Sequence, residues 1–352
     1  MGADLPRGVA ILGAGAIGSL IGARLQNARV PVTLIGRPGL IRAIQERGLV
    51  FEHSWWHTSI VRDLEAITAW HELTPAEIAN IGLVVLTQVH NIEEAVAGLA
   101  ERVPLEVPLL VLQNGVGDAD LARERIGSRP LLAGVTTLVA SQPEPGIVRS
   151  LSRTGGLGIA SVTAPPDTLA GVASLFASSG FPTRIHTDYR AMTWSKLLLN
   201  ILGNAVPAIV SLPPKQVFQD LALCRLEIAA FREALAVMRA QDLTPVALPA
   251  YPVPLMAQAM ERLPIPILRR LLLPLVSWGR VGKSPSQMDL ERGQQESEVE
   301  DLNGAVVRAG LELGVPVPAN ALIYRTLSAM VQGAIPRDAY AANPHSFLAP
   351  LR

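Results

Sequence analysis

Cysteine is nearly missing from these 352 residues. Cys224 stands alone, so no intrachain disulfide can form and no cluster of thiolates can hold a metal within one chain. That scarcity fits a reducing compartment, and a cytoplasmic location is expected. An excess of one charge is also lacking: thirty basic and thirty acidic residues give a formal net charge of zero. The positive field that holds nucleic-acid phosphates or an anionic membrane surface is therefore missing, and neither partner is expected. Long apolar runs are absent as well. The oiliest stretch, 263–278, is interrupted by Pro264, Pro266, Pro274, Arg269 and Arg270, where a bilayer requires about twenty unbroken apolar residues. A buried or surface-packing helix pair is expected there. The first seven residues show no charged segment leading into a long apolar one, and five glycines from Gly8 to Gly22 interrupt the apolar stretch beyond them, so no signal peptide is expected.

The six histidines are dispersed. His53 and His57 lie four apart beside Trp55 and Trp56, but 49–62 reads as strand and turn with no third ligand. No Ser-His-Asp order and no phosphate-binding Walker loop fall on suitable elements. Neither a metal nor a covalent nucleophile is expected.

What the chain does contain is apolar residues, 49% of the total, and enough length for two cores. Apolar runs at 8–12 and 30–35 flank a helical pattern at 16–26, a βαβ unit at ordinary spacing. Further strands are expected at 83–86, 109–112 and 131–139, with helices at 75–81 and 92–100. This alternation predicts a doubly wound parallel sheet. Segments 147–151 and 157–162 resemble a closing hairpin after Pro143, Pro145 and Gly146. From Tyr189 onward helical periodicity takes over, with helices expected at 191–211, 221–241, 287–313 and 319–331. Four prolines between Pro245 and Pro254 predict an irregular, apolar insertion up to the break at 283–285. The expected organisation is a dinucleotide-binding domain over 1–187, a helical domain over 188–340 and a tail over 341–352.

Gly13-Ala14-Gly15-Ala16-Ile17-Gly18 follows a strand and opens a helix, the context in which G-x-G-x-x-G binds a dinucleotide. The first glycine permits the turn, the second admits the pyrophosphate, and the third lets helix and strand approach, while the helix N-terminus supplies N–H donors. At the end of the second strand stands Gly36-Arg37-Pro38, and no Asp or Glu occurs between Asp4 and Glu46. An acidic ligand for the ribose 2′-hydroxyl thus has no candidate, and Arg37 suits a 2′-phosphate. NADPH is the expected cofactor.

In the helical half, Lys196, Asn200 and Asn204 recur at i, i+4 and i+8 among apolar neighbours. On spacing alone this is either a satisfied structural network or a site whose lysine donates a proton to a carbonyl. Pro285-Ser286 and Glu298 form a third element, and Glu298 by itself reads as part of a solvated helix face.

Together these segments, with Gln113-Asn114-Gly115-Val116-Gly117 and Glu298 through Asn303-Gly304, resemble the ketopantoate reductase (2-dehydropantoate 2-reductase) family over nearly the whole chain. The resemblance implies an α/β fold with an N-terminal Rossmann domain and an all-helical C-terminal domain like that of 6-phosphogluconate dehydrogenase. It implies reduction of a small 2-oxo acid by NADPH, with ketopantoate giving D-pantoate as the reference reaction. Lys196 resembles the family's general acid and Glu298 its acidic partner near the cofactor. Asn200 and Asn204 resemble substrate-contacting amides, Ser286 the hydroxyl at the substrate carboxylate, and Asn114 a residue between nicotinamide and substrate. Thr87-Gln88-Val89-His90 departs from the family, which carries a lysine after this strand, and Ser211-Leu212-Pro213-Pro214 lacks an amide found in pantoate-specific members. A reductase or opine-type dehydrogenase of different specificity, or a non-catalytic NADP-binding regulator, are the alternatives. The apolar helices at 263–278 suit a homodimer.

Overall fold

The computed structural model describes residues 8–53, 57–87, 92–112, 114–152, 154–277, 282–293 and 297–351. They form two compact units. One takes in the described residues up to 112, 117–192 and 248–251; the other holds 114–116, 193–247 and those from 252 onward.

The strands of the first unit, in chain order, are β1 (Val9–Leu12), β2 (Val32–Ile35), β3 (Leu49–His53), β4 (His57–Val61), β5 (Glu65–Ile67), β6 (Leu83–Thr87), β7 (Leu109–Leu112), β8 (Leu131–Thr136), β9 (Ala140–Glu144), β10 (Ile147–Ser150), β11 (Leu157–Ser161) and β12 (Thr183–His186). Eight form one sheet in the order β12-β11-β8-β7-β6-β1-β2-β5, parallel except where β11 runs against β8. Its helices include α1 (Ala16–Asn27), α2 (Pro38–Arg47), α3 (Pro75–Ala79), α4 (Ile92–Arg102), α5 (Asp118–Arg125) and α6 (Pro166–Ser178). Successive strand residues point to opposite faces, so Val9, Ile11, Leu83 and Val85 join a core with Leu20, Leu25 and Phe176, while Ala10, Val84 and Leu86 join another with Trp70, Leu99 and Ile126. A strand buried on both faces needs a continuous apolar run, which is why these segments were legible in the sequence.

The expected hairpin of 147–151 with 157–162 is not formed. Instead β10 pairs parallel to β3 and antiparallel to β9 in a second sheet, β4-β3-β10-β9, while β11 inserts between β8 and β12. The glycines between them allow the departure: Gly155 has φ +128°, and a Cβ on Gly156 would lie 1.9 Å from the Pro182 carbonyl oxygen. Beyond α4, the buried guanidinium of Arg129 donates to the carbonyls of Val103, Pro104 and Val107 at 2.7–2.8 Å.

The second unit is helical: α7 (Tyr189–Ile201, entering from the first unit), α8 (Ala205–Val210), α9 (Pro214–Gln219), α10 (Leu221–Ala240), α11 (Val253–Arg262), α12 (Ile265–Ser277), α13 (Pro285–Glu291), α14 (Asn303–Leu313) and α15 (Pro318–Val331). Two expected helices are divided. Residues 191–211 break at Gly203, whose φ is +62°, and 287–313 break between Glu291 and Asn303, after Gly293 at φ +71°. The expected irregular insertion holds α11 and α12. Its prolines lie largely at helix starts, where a missing N–H costs nothing: Pro252 and Pro254 begin α11, and Pro264 and Pro266 begin α12. Residues 344–351 form a 3-10 segment that buries Phe347. Among the described residues no helix is long and apolar enough to cross a membrane.

Candidate active site

The glycine turn belongs to the first unit. Gly13 adopts φ +105°, and a Cβ there would lie 1.7 Å from the Thr87 carbonyl oxygen, so only glycine fits between β1 and β6. At Gly18 a Cβ would lie 2.1 Å from the Gly13 carbonyl oxygen, which is the close helix–strand packing expected of the third glycine. Gly15 caps α1 without a side chain, leaving its amide and those of Ala16 and Ile17 at a partly open surface with no acidic residue in the first turn. This cradle fits a dinucleotide pyrophosphate. Gly13 and Ala14 both donate to the Ile35 carbonyl, and a Cβ on Gly36 would lie 2.8 Å from Ala14 Cβ, so the end of β2 lies against the turn. Arg37 follows at once, exposed, at the cap of α2. Thr87 is fully buried and donates its hydroxyl to the Gly13 carbonyl, supporting the turn from beneath. Gln88 and His90, at the departure from the family pattern, lie outside the described residues.

The other expected residues fall in the second unit. Lys196 and Asn200 are half-buried one turn apart on α7. Asn204 is not a third rung of that helix. Past the Gly203 turn it caps α8 with φ −112° and ψ −70°, and its side chain is 3% exposed. Its Oδ1 accepts the Ser286 N–H at 3.1 Å and its carbonyl accepts the Ser284 hydroxyl at 2.7 Å. Ser284 and Gln287 form a reciprocal capping box at the start of α13, and Gln287 also donates to the Leu212 carbonyl at 3.1 Å. Ser286 is 2% exposed, and among the described residues its Oγ has no hydrogen-bond partner.

Glu298 does not face water as part of a helix. It sits half-buried in the turn before α14, where its Oε1 accepts the Asn114 side-chain amide at 3.1 Å. Asp289 lies near enough for the Glu298 charge to act with burial in raising its carboxyl above the ordinary range, while Arg292 opposes them. The structure thus pairs Asn114 with Glu298 and Asn204 with Ser286.

Sequence reasoning overlooked Glu227, whose carboxylate on α10 is 1% exposed and accepts the Gly203 N–H at 2.9 Å. The available signal was an acid on the apolar stripe of Leu223, Phe231 and Ala234. It also overlooked Ser284 and Gln287, whose S-x-x-Q spacing is a helix-start pattern.

Family models described as ketopantoate reductase PanE/ApbA and ketopantoate reductase PanE/ApbA C terminal match residues 9–162 and 188–331. The chain belongs to the ketopantoate reductase family. It is therefore an oxidoreductase of the 2-dehydropantoate 2-reductase type. It is 26% identical to a 2-dehydropantoate 2-reductase of Pyrococcus horikoshii, over 91% of this chain and 96% of that one. With the enzyme of that name from Halobacterium salinarum identity is 27%, over 92% and 97%. A crystal structure of a PanE/ApbA family ketopantoate reductase from Ralstonia eutropha superposes with a TM-score of 0.76 at 28% identity, covering 92% of this chain and 98% of that chain. A D-mandelate dehydrogenase bound to NADH and anilino(oxo)acetate shares the fold, with a TM-score of 0.75 at 19% identity and the same coverage.

Proposed function

We propose that this ketopantoate reductase family member reduces 2-dehydropantoate to D-pantoate with NADPH. The observation that carries the reading is Ser286, whose backbone N–H is held by Asn204 Oδ1 and whose buried hydroxyl has no partner among the described residues. A buried polar atom without a partner costs folding free energy unless a ligand satisfies it, and a small oxygen-rich acid suits it. With Asn204 Oδ1 committed to the Ser286 amide, the Asn204 Nδ2 and the Ser286 Oγ remain to meet substrate oxygens.

Gly13, Ala14, Gly15, Ala16, Ile17 and Gly18 hold the pyrophosphate in this reading, and Arg37 the 2′-phosphate. When bound, reduced nicotinamide would supply the hydride that the ketone carbon takes up. Lys196 donates the proton that the ketone oxygen acquires, so carbonyl becomes hydroxyl with charge balanced. Asn200 orients the same substrate from the next turn of α7. Asn114, hydrogen-bonded to Glu298, contacts the substrate in this reading, and Glu298 holds that amide in place.

A second reading, a related reductase of another 2-oxo acid, is favoured by the 211–214 segment, where Gln287 fastens the Leu212 carbonyl and no side-chain amide is present. One experiment separates the two. Purified protein, NADPH and a panel of 2-oxo acids are mixed, and loss of reduced-nicotinamide absorbance is followed. Fastest turnover of ketopantoate is expected; a different acid turned over best would establish the second reading, and turnover of none would remove both.

A further inference from the structure

We propose that Glu227 is a positioning residue, whose buried carboxylate sets the Gly203 turn and through it aligns the Asn204–Ser286 subsite. The inference rests on the reading of that subsite as the place where substrate binds.

An α-helix ends where a residue turns to a left-handed φ, and Gly203 does so just past α7 at φ +62°. Its N–H donates to Glu227 Oε2 at 2.9 Å. Glu227 reaches it from α10, a helix whose other inward positions include Leu223, Ala230 and Phe231. Removing water from a carboxylate costs folding free energy, which donors such as the Gly203 N–H offset. What the carboxylate provides is a directed acceptor, which fixes where the chain turns.

The turn decides where Asn204 points. Immediately after it, Asn204 makes two bonds that join α7 and α8 to α13: its Oδ1 takes the Ser286 N–H, and its carbonyl takes the Ser284 hydroxyl. Both bonds depend on the orientation of one residue, and that residue comes directly after the amide that Glu227 holds. If α7 ran on through residue 203, Asn204 would stay in the helical ladder and its carbonyl and side chain would leave α13. Ser286 Oγ, which has no partner among the described residues, would then lose its place beside Asn204.

The test compares Glu227→Leu, which removes the acceptor, with Glu227→Gln, which keeps one oxygen, and Glu227→Asp, which withdraws it by a methylene. Hydrogen exchange followed over residues 200–206 needs no substrate. In the Leu variant, exchange there is expected to accelerate by about tenfold or more, with α14 and α15 within about twofold of the parent. The Asp variant should follow the Leu variant and the Gln variant the parent. In turnover, Glu227→Leu should raise KM for ketopantoate by about tenfold with NADPH affinity unchanged, and adding Asn204→Ala should raise it little further, because coupled residues are non-additive.

Unchanged exchange over 200–206 in the Leu and Asp variants would overturn the proposal, as would effects on KM that multiply in the double variant. If Glu227→Leu fails to fold, the Asp and Gln pair carries the same comparison. A parent protein that turns over no 2-oxo acid would sink the proposed function, while the exchange measurement would still decide the role of Glu227 in the turn.

Discussion

Lys196 and Arg37 carry the two claims that single side chains can settle. Lys196→Ala should lower turnover of ketopantoate by on the order of a hundredfold, the usual worth of a positioned general acid. Steady-state rates at saturating NADPH measure it, and near-normal turnover would take Lys196 out of the reaction. Arg37→Asp should weaken NADPH far more than NADH, because only NADPH presents a 2′-phosphate to the guanidinium. Equal weakening of the two, read by fluorescence titration, would rule out the 2′-phosphate assignment. Asp289 offers a test by acidity. Burial and the nearby Glu298 charge raise its carboxyl above the unfolded value, so folding favours the protonated form. The stability it contributes is full below the unfolded pKa, near pH 4, and is lost as pH rises through the folded one. Asp289→Asn should therefore raise the unfolding temperature at neutral pH by roughly 2 °C and leave it unchanged below about pH 4. The same gain at both pH values would show that charge is not the cause.

At the scale of elements, helix ends decide more than helix interiors. The proline-rich insertion reads as irregular when prolines are taken as breakers, yet at first-turn positions they start α11 and α12. The stretch just past α4 shows the opposite need, since the carbonyls of Val103, Pro104 and Val107 lie under the buried guanidinium of Arg129. Arg129→Met should destabilise the first unit by about 3 kcal/mol, because it strips several buried acceptors of their donor at once. Urea unfolding followed by circular dichroism measures this. A loss below about 1 kcal/mol would mean that water reaches those carbonyls instead.

Across the whole molecule, Gly13–Gly18 and Arg37 lie in the first unit of the chain, and Lys196, Asn114 and Glu298 in the second. Steric contacts at Gly13 and Gly18 define the proposed dinucleotide cradle without help from a ligand atom. Cofactor binding should therefore stabilise the folded protein by mass action alone. NADPH at about a hundred times its Kd should add about 2.7 kcal/mol, seen as a rise in unfolding temperature that NADH at equal concentration does not match. An equal rise with NADH would point to a cradle that ignores the 2′-phosphate.

The sequence by itself determined the doubly wound sheet, the glycine turn and the helical second half. Each of these is written in local patterns: apolar runs buried on both faces, glycines where a Cβ cannot fit, and helical periodicity. It also brought Lys196, Asn114, Ser286 and Glu298 forward through the family's motifs. Only the tertiary structure decided where β10 and β11 pair, because two short apolar strands carry no mark of their partner. Only it decided that Asn204 leaves α7, since that depends on a carboxylate 24 residues away accepting one backbone amide. Side chains whose role is to hold another element, such as Glu227 and Arg129, are chemically ordinary in sequence and gain meaning only when folding removes water from around them.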